Sequence, residues 1–316
     1  MVKEAKKLIS VVTPCFNEEG NVRICYEEVK SVFENNLPNY EFEHIFVDND
    51  STDQTVDILR NIASEDKRVK VIVNSRNIGP FRSMWKGLKN VSGVMVIPLV
   101  PADLQDPPEV IPKMVEKFEN GYSVVYGYRA QRMESWRLRL MRSIYYRLVR
   151  KLSGTEIPIN AGEFLLADKR IIDSILELDD EYPYIRGLVA QTGAKATGIE
   201  YVWRKRNQGT SKNNLISLVD QGINGLVSTT RLPARLIILF GFFLSILAIF
   251  SAIVMLSLFL LNPARPALGI PTLIVSSLFL SGIQLLFLGV IGEYVLSVHS
   301  QVRKRPKSFD VERINL

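Results

Sequence analysis

Two long apolar stretches interrupt an otherwise mixed pattern of hydrophobic and polar residues. Residues 236–261 and residues 267–292 each run for 26 positions without a charged side chain. A helix needs roughly 20 apolar residues to cross a bilayer, so the pattern predicts two transmembrane helices. A buried helical hairpin in a soluble protein is the alternative interpretation.

The charged residues that flank these stretches predict their orientation. Arg231 and Arg235 precede the first stretch and a basic cluster at 303–307 follows the second, whereas the connector 262–266 carries only Arg265. Loops rich in Lys and Arg stay in the cytoplasm. We therefore expect an inner (plasma) membrane protein with two spans and with both its N- and C-termini in the cytosol.

Earlier in the chain, short runs rich in Val and Ile alternate with segments of helical length. The predicted strands are 8–13, 42–47, 69–73, 94–99 and 123–126, and the predicted helices are 21–34, 53–64, 81–89 and 108–120. Strands and helices that alternate at this spacing form a parallel sheet. The predicted fold class is α/β, with a mostly parallel sheet and helices on both of its faces.

The loops that follow four of the predicted strands are unusually polar. They are 14–19 (PCFNEE), 48–53 (DNDSTD), 74–79 (NSRNIG) and 101–109 (PADLQDPPE). Ligands of parallel α/β sheets bind at the carboxyl ends of the strands, so these loops form the expected binding site. We interpret Asp48 and Asp103 as functional, and Asp53 and Asp106 as caps of the helices that follow them.

The formal net charge of +6 is unevenly distributed along the chain. Residues 136–151 contain six Arg or Lys and no acid, interleaved with apolar residues, which predicts a basic interfacial helix over 136–152 on an anionic membrane surface. An internal helix with a solvated basic face is the alternative. Because the basic excess is local, we expect phosphate ligands and a membrane as partners, and no nucleic acid.

Several short motifs occur in a distinctive order. PCFNEE, VDNDSTD, SRNIG and ADLQDPPE follow successive strands, and GYR at 127–129, RGL at 186–188 and RNQGTSK at 206–212 come after them. Together with the two C-terminal stretches, they resemble the family 2 glycosyltransferases of the Rossmann-like GT-A fold. In particular they resemble the polyisoprenyl-phosphate glycosyltransferases, which include dolichol-phosphate mannose synthase and bacterial undecaprenyl-phosphate glucosyl- and aminoarabinosyl-transferases.

This resemblance implies roles for the residues of the polar loops. A nucleotide-sugar donor is implied, with Asp103 and Gln105 at a Mg²⁺ or Mn²⁺ ion and at the pyrophosphate. The residues implied at the nucleotide are Pro14, Asn17, Glu18, Asp48, Arg76 and Asp103. Mg²⁺ needs only one or two protein carboxylates beside substrate phosphates, so this small set of ligands is sufficient.

The resemblance also implies an acceptor, a polyprenyl phosphate of the undecaprenyl or dolichyl type. A phosphate monoester is ionised near neutral pH and needs little help from a base. Its approach to an anionic donor does need cations, and the implied cations are Arg129, Arg132, Arg206 and Lys212. Attack opposite the departing nucleotide inverts the anomeric centre of the sugar.

Three positions depart from the family pattern. Pro101 stands where the family usually has the first Asp of its Asp-Ala-Asp motif, and Asn160 stands where it has the Asp of Asp-x-Gly-Asp-Phe. Glu163 is then the candidate for an acidic group near the acceptor. Asn49 and Asp50 replace a frequent Asp-Gly pair and are expected to alter nucleotide contacts.

The leading hypothesis is an enzyme that transfers a sugar, from a UDP-linked donor, to polyprenyl phosphate at the cytosolic membrane face. A processive polysaccharide synthase is a second hypothesis, although the chain lacks the Gln-x-x-Arg-Trp segment of that class. A catalytically inactive membrane scaffold derived from a transferase is a third. A homo-oligomer is expected, since paired spans pack against neighbours.

These inferences give an expected domain organisation. A cytosolic GT-A domain covers 1–210, and an interfacial helix with a linker covers 211–235. Transmembrane helices occupy 236–261 and 267–292, and a basic cytosolic tail covers 293–316.

Overall fold

The computed structural model describes residues 6–129, 161–178, 180, 183–204, 232–261, 269–303 and 308–316. The chain divides into two compact units. Of the described residues, 232–303 belong to the second unit and all others to the first. The predicted basic helix over 136–152, the interfacial segment up to residue 231, and Arg132, Asn160, Arg206 and Lys212 lie outside the described residues.

The first unit is built around an eight-stranded sheet with the order β7-β5-β6-β4-β1-β2-β3-β8. Its strands are β1 Lys7–Cys15, β2 Tyr40–Asp48, β3 Val69–Asn74, β4 Met95–Ile97, β5 Val124–Arg129, β6 Ala161–Asp168, β7 Ala196–Tyr201 and β8 Asp310–Ile314. Its helices are α1 Val22–Asn36, α2 Thr55–Glu65, α3 Pro80–Leu88, α4 Ile111–Glu119, α5 Lys169–Leu176 and α6 Ile185–Gln191, with a 3₁₀ turn at Pro108–Val110.

Most strand pairs are parallel, which confirms the predicted fold class. β1 pairs in parallel with β2 and β4, as do β2 with β3 and β5 with β7. β6 is antiparallel to both β4 and β5, and β8 is antiparallel to β3. The first residues of β6 and β8 therefore lie at the edge where the parallel strands end. This edge is called the carboxyl edge below.

Alternation of side chains along the strands fills two apolar layers. Ile9 and Val11 of β1 are fully buried against the residues of α1, α2 and α4, while Val12 faces α3, α5 and α6. Gly87 allows α3 to lie close to the sheet, because a Cβ there would come within 2.5 Å of the Val12 side chain. Helices on both faces leave the carboxyl edge as the open side of the sheet.

The second unit contains two long helices, α7 (Leu232–Leu261) and α8 (Gly269–Arg303). Phe240 of α7 meets Phe287 of α8 edge to face, with ring centroids 6.2 Å apart. Within the described residues, 279–303 is long and apolar enough to cross a membrane, whereas the apolar part of α7 at 237–251 is shorter than a span. The pair of spans stays a prediction.

The C-terminal segment returns to the first unit, which the sequence analysis did not anticipate. Val71 pairs with Ile314 and Val73 with Glu312, so β8 becomes an edge strand of the sheet. The side-chain amide of Asn315 donates to the carbonyl oxygens of Ala63 and Val69, both at 2.8 Å. A basic tail was expected here because β8 is short and half-exposed, so no apolar run marks it in the sequence.

His44, at the centre of β2, gives the fold a pH dependence. Its ring is fully buried, and this burial lowers its pKa from 6.5 to about 3. The Thr13 hydroxyl donates to the carbonyl of Val100 at 2.8 Å and lies 2.8 Å from Nε2 of His44. The hydroxyl therefore accepts from Nε2–H of a neutral ring.

We expect the stability of the wild-type protein to fall as the pH drops below 6.5. The unfolded chain takes up a proton at His44 there and the folded chain does not, which costs about 2 kcal/mol at pH 5. His44→Gln keeps a donor for Thr13 and removes the titration. Thermal unfolding at pH 7 and pH 5 should therefore show a smaller loss in the variant, and equal losses would contradict the assignment.

Candidate active site

The loops after β1 and β2 are joined by hydrogen bonds at the carboxyl edge. Asn17 adopts a left-handed conformation with φ of 53°, and its backbone N–H donates to the Ser51 hydroxyl at 2.9 Å. Its side-chain oxygen accepts from the N–H of Thr52 at 2.8 Å. The N–H of Glu18 donates to the Thr55 hydroxyl at 2.9 Å. Asn17 and Glu18 thus fix the shape of the first loop, and the half-buried Pro14 lies beside them in β1.

Asp48 lies where β2 ends, below these loops. It has no exposed surface, and burial raises the pKa of its carboxyl group. Ser51 compensates by donating to it from both its backbone N–H, at 3.0 Å, and its hydroxyl. Through these two hydrogen bonds, Asp48 fixes the conformation of the second loop. A nucleoside at this edge would therefore meet a preorganised surface.

The carboxylates of Asp53 and Asp106 were both expected to cap the helices that follow them. The Asp53 carboxylate accepts from the N–H of Thr55, the first residue of α2, at 3.0 Å, although the N-cap position of α2 is Gln54, whose side chain makes no capping bond. Asp53 therefore supports the start of α2 from one position further back. The 3₁₀ turn Pro108–Val110 has Pro107 at its N-cap and has no side-chain capping bond among the described residues. The prediction for Asp106 was wrong, because its carboxylate is bound by Arg129 and Tyr201 instead.

Asp106 forms a buried ion pair with Arg129 at the end of β5. Nε and Nη2 of Arg129 donate to the two carboxylate oxygens at 3.1 and 3.0 Å, and the hydroxyl of Tyr201 donates to the same carboxylate. The Arg129 guanidinium also lies 4.9 Å from the ring of Trp203. The guanidinium predicted to meet a phosphate is thus engaged by a carboxylate.

The loop that carries Asp103 is a tight turn. Leu104 has a φ of 56°, and its N–H donates to the carbonyl of Pro101 at 2.9 Å. The carboxylate of Asp103 accepts from the N–H of Gln105 at 3.2 Å, and the carbonyl of Gln105 accepts from the N–H of Arg204 at 2.9 Å. Asp103 and Gln105 are both half-buried, so their side chains reach the surface of the carboxyl edge.

The side chains of this turn suit a hard divalent cation, which the turn alone would bind with modest affinity. In the described part of the chain, no three His, Cys, Asp or Glu side chains cluster in a way that could hold a metal. One carboxylate and one amide oxygen suit Mg²⁺, which keeps several waters and takes further ligands from substrate phosphates. The residues present therefore fit a metal that arrives with its nucleotide.

Glu163 enters the carboxyl edge because β6 runs antiparallel to its neighbours. Its side chain is 9% exposed and accepts from the backbone N–H of Arg186 at 2.9 Å, with Nε of Arg186 at 3.9 Å. Burial raises the pKa of the Glu163 carboxyl group, and the charge of Arg186 opposes that rise. Glu163 thus lies close to Arg186, a cation of the RGL motif to which no role was assigned from the sequence.

The structure brings most of the predicted site residues to one edge. Those at strand ends, or in the loops that follow, are Pro14, Asn17, Glu18, Asp48, Arg76, Asp103, Gln105, Arg129 and Glu163. Arg76 is exposed on the loop after β3. Sequence reasoning missed Tyr201 and Arg204, although both lie just before the RNQGTSK motif.

Comparison with known proteins decides the family. A family model described as Glycosyl transferase family 2 matches residues 10–176, from β1 to α5. The chain belongs to glycosyltransferase family 2. This family 2 glycosyltransferase is therefore a transferase enzyme by membership, as the motifs indicated.

Relatives of this glycosyltransferase match it over nearly its whole length. It is 34% identical over 313 residues to the uncharacterized glycosyltransferase YkcC of Bacillus subtilis. This alignment covers 97% of the present chain and 96% of the relative. It is 35% identical over 302 residues to the SfII prophage-derived bactoprenol glucosyl transferase of Shigella flexneri. That alignment covers 95% of the present chain and 96% of the relative. The similarity therefore includes α7 and α8.

Solved structures match the glycosyltransferase as well. One is the crystal structure of glucosyl-3-phosphoglycerate synthase from Mycobacterium tuberculosis in complex with Mn²⁺, UDP-glucose and phosphoglyceric acid. It is 21% identical, covers 72% of this chain and 81% of its own, and gives a TM-score of 0.49.

Proposed function

We propose that this family 2 glycosyltransferase transfers a sugar from a UDP-linked donor to a polyprenyl phosphate at the cytosolic face of the membrane. One observation carries the proposal: the chain is 35% identical, over 95% of its length, to a protein named bactoprenol glucosyl transferase. That name specifies a polyprenol acceptor and a glucosyl group. The polar carboxyl edge and the apolar helices supply a place for each substrate.

The donor binds across the loops after β1, β2 and β4. Asn17 and Glu18 form the wall that receives the nucleoside, with Arg76 beside it, and the buried Asp48 supports that wall through Ser51. The pyrophosphate lies against Asp103 and Gln105, which would hold Mg²⁺ or Mn²⁺ through oxygen atoms. When bound, the cation compensates the negative charge that builds on the leaving nucleotide.

The acceptor phosphate approaches from the side of β5 and β6. Because this phosphate is already ionised, no residue needs to remove a proton from it. Arg132, Arg206 and Lys212 balance its charge, since their guanidinium and ammonium groups suit phosphate oxygens. Arg129 supports them by neutralising Asp106, and Glu163 positions Arg186. In-line attack opposite the nucleotide inverts the anomeric carbon.

The path of the chain supports two membrane spans. The chain leaves the α/β unit after β7, passes through α7 and α8, and returns to the same sheet as β8. A chain that leaves and re-enters one cytosolic unit crosses the membrane an even number of times. α7 and α8 then form two spans, with both termini in the cytosol. The basic helix over 136–152 and the segment 211–235 lie at the interface.

The test uses full-length protein in detergent with radiolabelled UDP-glucose, Mg²⁺ and undecaprenyl phosphate. We expect the label to move into a lipid product that is extracted by organic solvent and depends on the phosphate. Undecaprenol without its phosphate is the matched control and should give no product. Absence of product over a panel of UDP-hexoses, while a known transferase is active in parallel, would contradict the proposal.

Pro101 removes a carboxylate from the turn where the donor pyrophosphate is expected. Binding of UDP by calorimetry tests whether this turn still holds the donor. We expect UDP to bind in a metal-dependent manner that Asp103→Ala weakens. UDP binding that is absent, or that is unchanged by Asp103→Ala, would contradict the placement of the pyrophosphate at this turn.

A further inference from the structure

A polar cluster where β3 ends joins three parts of the chain that are distant in sequence. Nζ of Lys86, on α3, donates to the side-chain oxygen of Asn74 at 2.5 Å and to the hydroxyl of Ser308 at 3.1 Å. It also forms an ion pair with Asp310. The Ser308 hydroxyl donates to the same oxygen of Asn74 at 3.0 Å. Lys86 thus has three oxygen partners, two of them from the C-terminal segment.

The cluster continues towards the loop 74–79, which is called the donor loop here. Asn74 has no exposed surface and Asn49 is 3% exposed. The amide of Asn74 donates to the side-chain oxygen of Asn49 at 3.4 Å, and this oxygen also accepts from the N–H of Ile78 at 3.4 Å. Asn49 therefore faces inward and holds the donor loop. It does not present its amide to solvent, where a nucleotide would bind.

The C-terminal segment also binds the backbone of the donor loop. The N–H of Ser75 donates to the carbonyl of Phe309 at 3.1 Å, and the N–H of Phe309 donates to the Ser75 hydroxyl at 3.2 Å. The register of the β3–β8 pair shifts between Val73 and Asn74, and Asn74 is paired with Asp310. Phe309, just before β8, and Asp310, its first residue, therefore hold the donor loop where regular strand pairing ends.

We propose that residues 308–310 are a latch that positions the donor loop for nucleotide binding, with Ser308 and Asp310 as positioning residues. This inference rests on the proposed function, which places a UDP-linked donor at this edge. Ser308 and Asp310 follow the last membrane helix by a few residues, and the family model ends at residue 176. The latch thus gives the end of the chain a role in binding the donor.

The same strand offers a matched control. Glu312 lies two residues after Asp310 and forms an ion pair with Arg60 of α2, whose Nε and Nη2 lie 3.0 and 2.6 Å from Oε2. This pair attaches β8 to α2 and involves neither Asn74 nor Lys86. Glu312→Gln therefore perturbs β8 about as much as Asp310→Asn while it leaves the latch in place.

The experiment compares Asp310→Asn, Lys86→Met, Lys86→Arg and Glu312→Gln in full-length protein. UDP affinity is measured by calorimetry, and amide hydrogen exchange is measured at residues 75–79. We expect Asp310→Asn and Lys86→Met to weaken UDP binding about three- to tenfold, the net size of one ordinary hydrogen bond, and to speed exchange in the donor loop. Lys86→Arg should restore most of the affinity, and Glu312→Gln should change neither quantity.

Two results would overturn the latch. One is wild-type UDP affinity in Asp310→Asn, and the other is an equal loss of affinity in Glu312→Gln, which would indicate general damage to β8. The exchange measurement needs neither donor nor acceptor, so it separates this inference from the proposed function. If wild-type protein binds no UDP, the proposed function fails, and unchanged exchange in Asp310→Asn shows independently that the latch is absent.

Discussion

Replacing Asp103 by Asn is expected to lower the rate of sugar transfer about 10²- to 10³-fold. Pro101 stands where the family usually has another Asp, and Asp106 is bound by Arg129 and Tyr201. Asp103 is then the carboxylate of the turn at Leu104 that we place at the pyrophosphate and its cation. Loss of one preorganised electrostatic contact to a developing charge costs a factor of this size. The measurement is kcat and KM for the UDP-sugar over a titration of Mg²⁺ and of Mn²⁺.

The substitution by Asn removes the negative charge of residue 103 but keeps its hydrogen-bond acceptor. Its side-chain oxygen still accepts from the N–H of Gln105, so the turn at Leu104 should persist and the melting temperature should change little. Asp53→Asn is the control, because Asn also accepts a hydrogen bond at the start of α2 and should leave both stability and transfer nearly unchanged. A variant Asp103→Asn that keeps more than a tenth of the wild-type rate at saturating metal would show that the metal and the pyrophosphate are held elsewhere.

The sequence was sufficient to select one edge of the sheet as the candidate site but not to assign each of its residues. Short runs rich in Val and Ile predict buried strands, and polar residues after parallel strands predict a shared edge. Asp48 and Asp103 were selected in this way. The structure places Asp48 at the end of β2 and Asp103 in the loop that follows β4, six positions after Ile97. Such reasoning depends on local pattern alone, so it applies best to loops that directly follow strong apolar runs.

Asp106 shows where local pattern fails. An Asp followed by Pro107 and Pro108 has the signature of a helix start, so capping was the simplest interpretation. Its actual partners, Arg129 and Tyr201, come from β5 and β7, 23 and 95 residues away. Only the strand order brings these ends together. β6, β7 and β8 were missed for a related reason, since all three lie after the regular alternation of strand and helix that ends at β5.

The contacts of Glu163 and Lys86 also depend on segments that are distant in the sequence. Glu163 was selected from a motif that resembles the family, and its burial beside Arg186 depends on the antiparallel direction of β6. Lys86 was not selected, because a Lys on a predicted helix is normally solvated. Its partners Ser308 and Asp310 are 222 and 224 positions later, and no pattern within α3 indicates them.

Removing the Arg129 side chain is expected to destabilise the α/β unit by about 3–5 kcal/mol. Arg129→Met leaves the carboxylate of Asp106, which is 2% exposed, without its bidentate partner. An unpaired buried charge costs several kcal/mol, whereas removal of both partners of a buried pair is often tolerated. The double variant Arg129→Met, Asp106→Asn should therefore recover much of the loss. For a unit of this size, the single variant should melt about 10 °C lower.

Arg204→Met is the matched control for this prediction, since it also removes an Arg that forms ion pairs. Arg129 pairs with one carboxylate and Arg204 with two. Arg204 pairs with Glu28 and Glu109 near the surface, with its side chain 40% exposed, so its loss should cost at most about 1 kcal/mol. Equal destabilisation by Arg129→Met and Arg204→Met would show that the Asp106 carboxylate is solvated. A stable Arg129→Met protein with greatly reduced transfer would show instead that Arg129 meets the acceptor phosphate directly. Loss of stability with recovery in the double variant is expected only if the ion pair with Asp106 is the main role of Arg129.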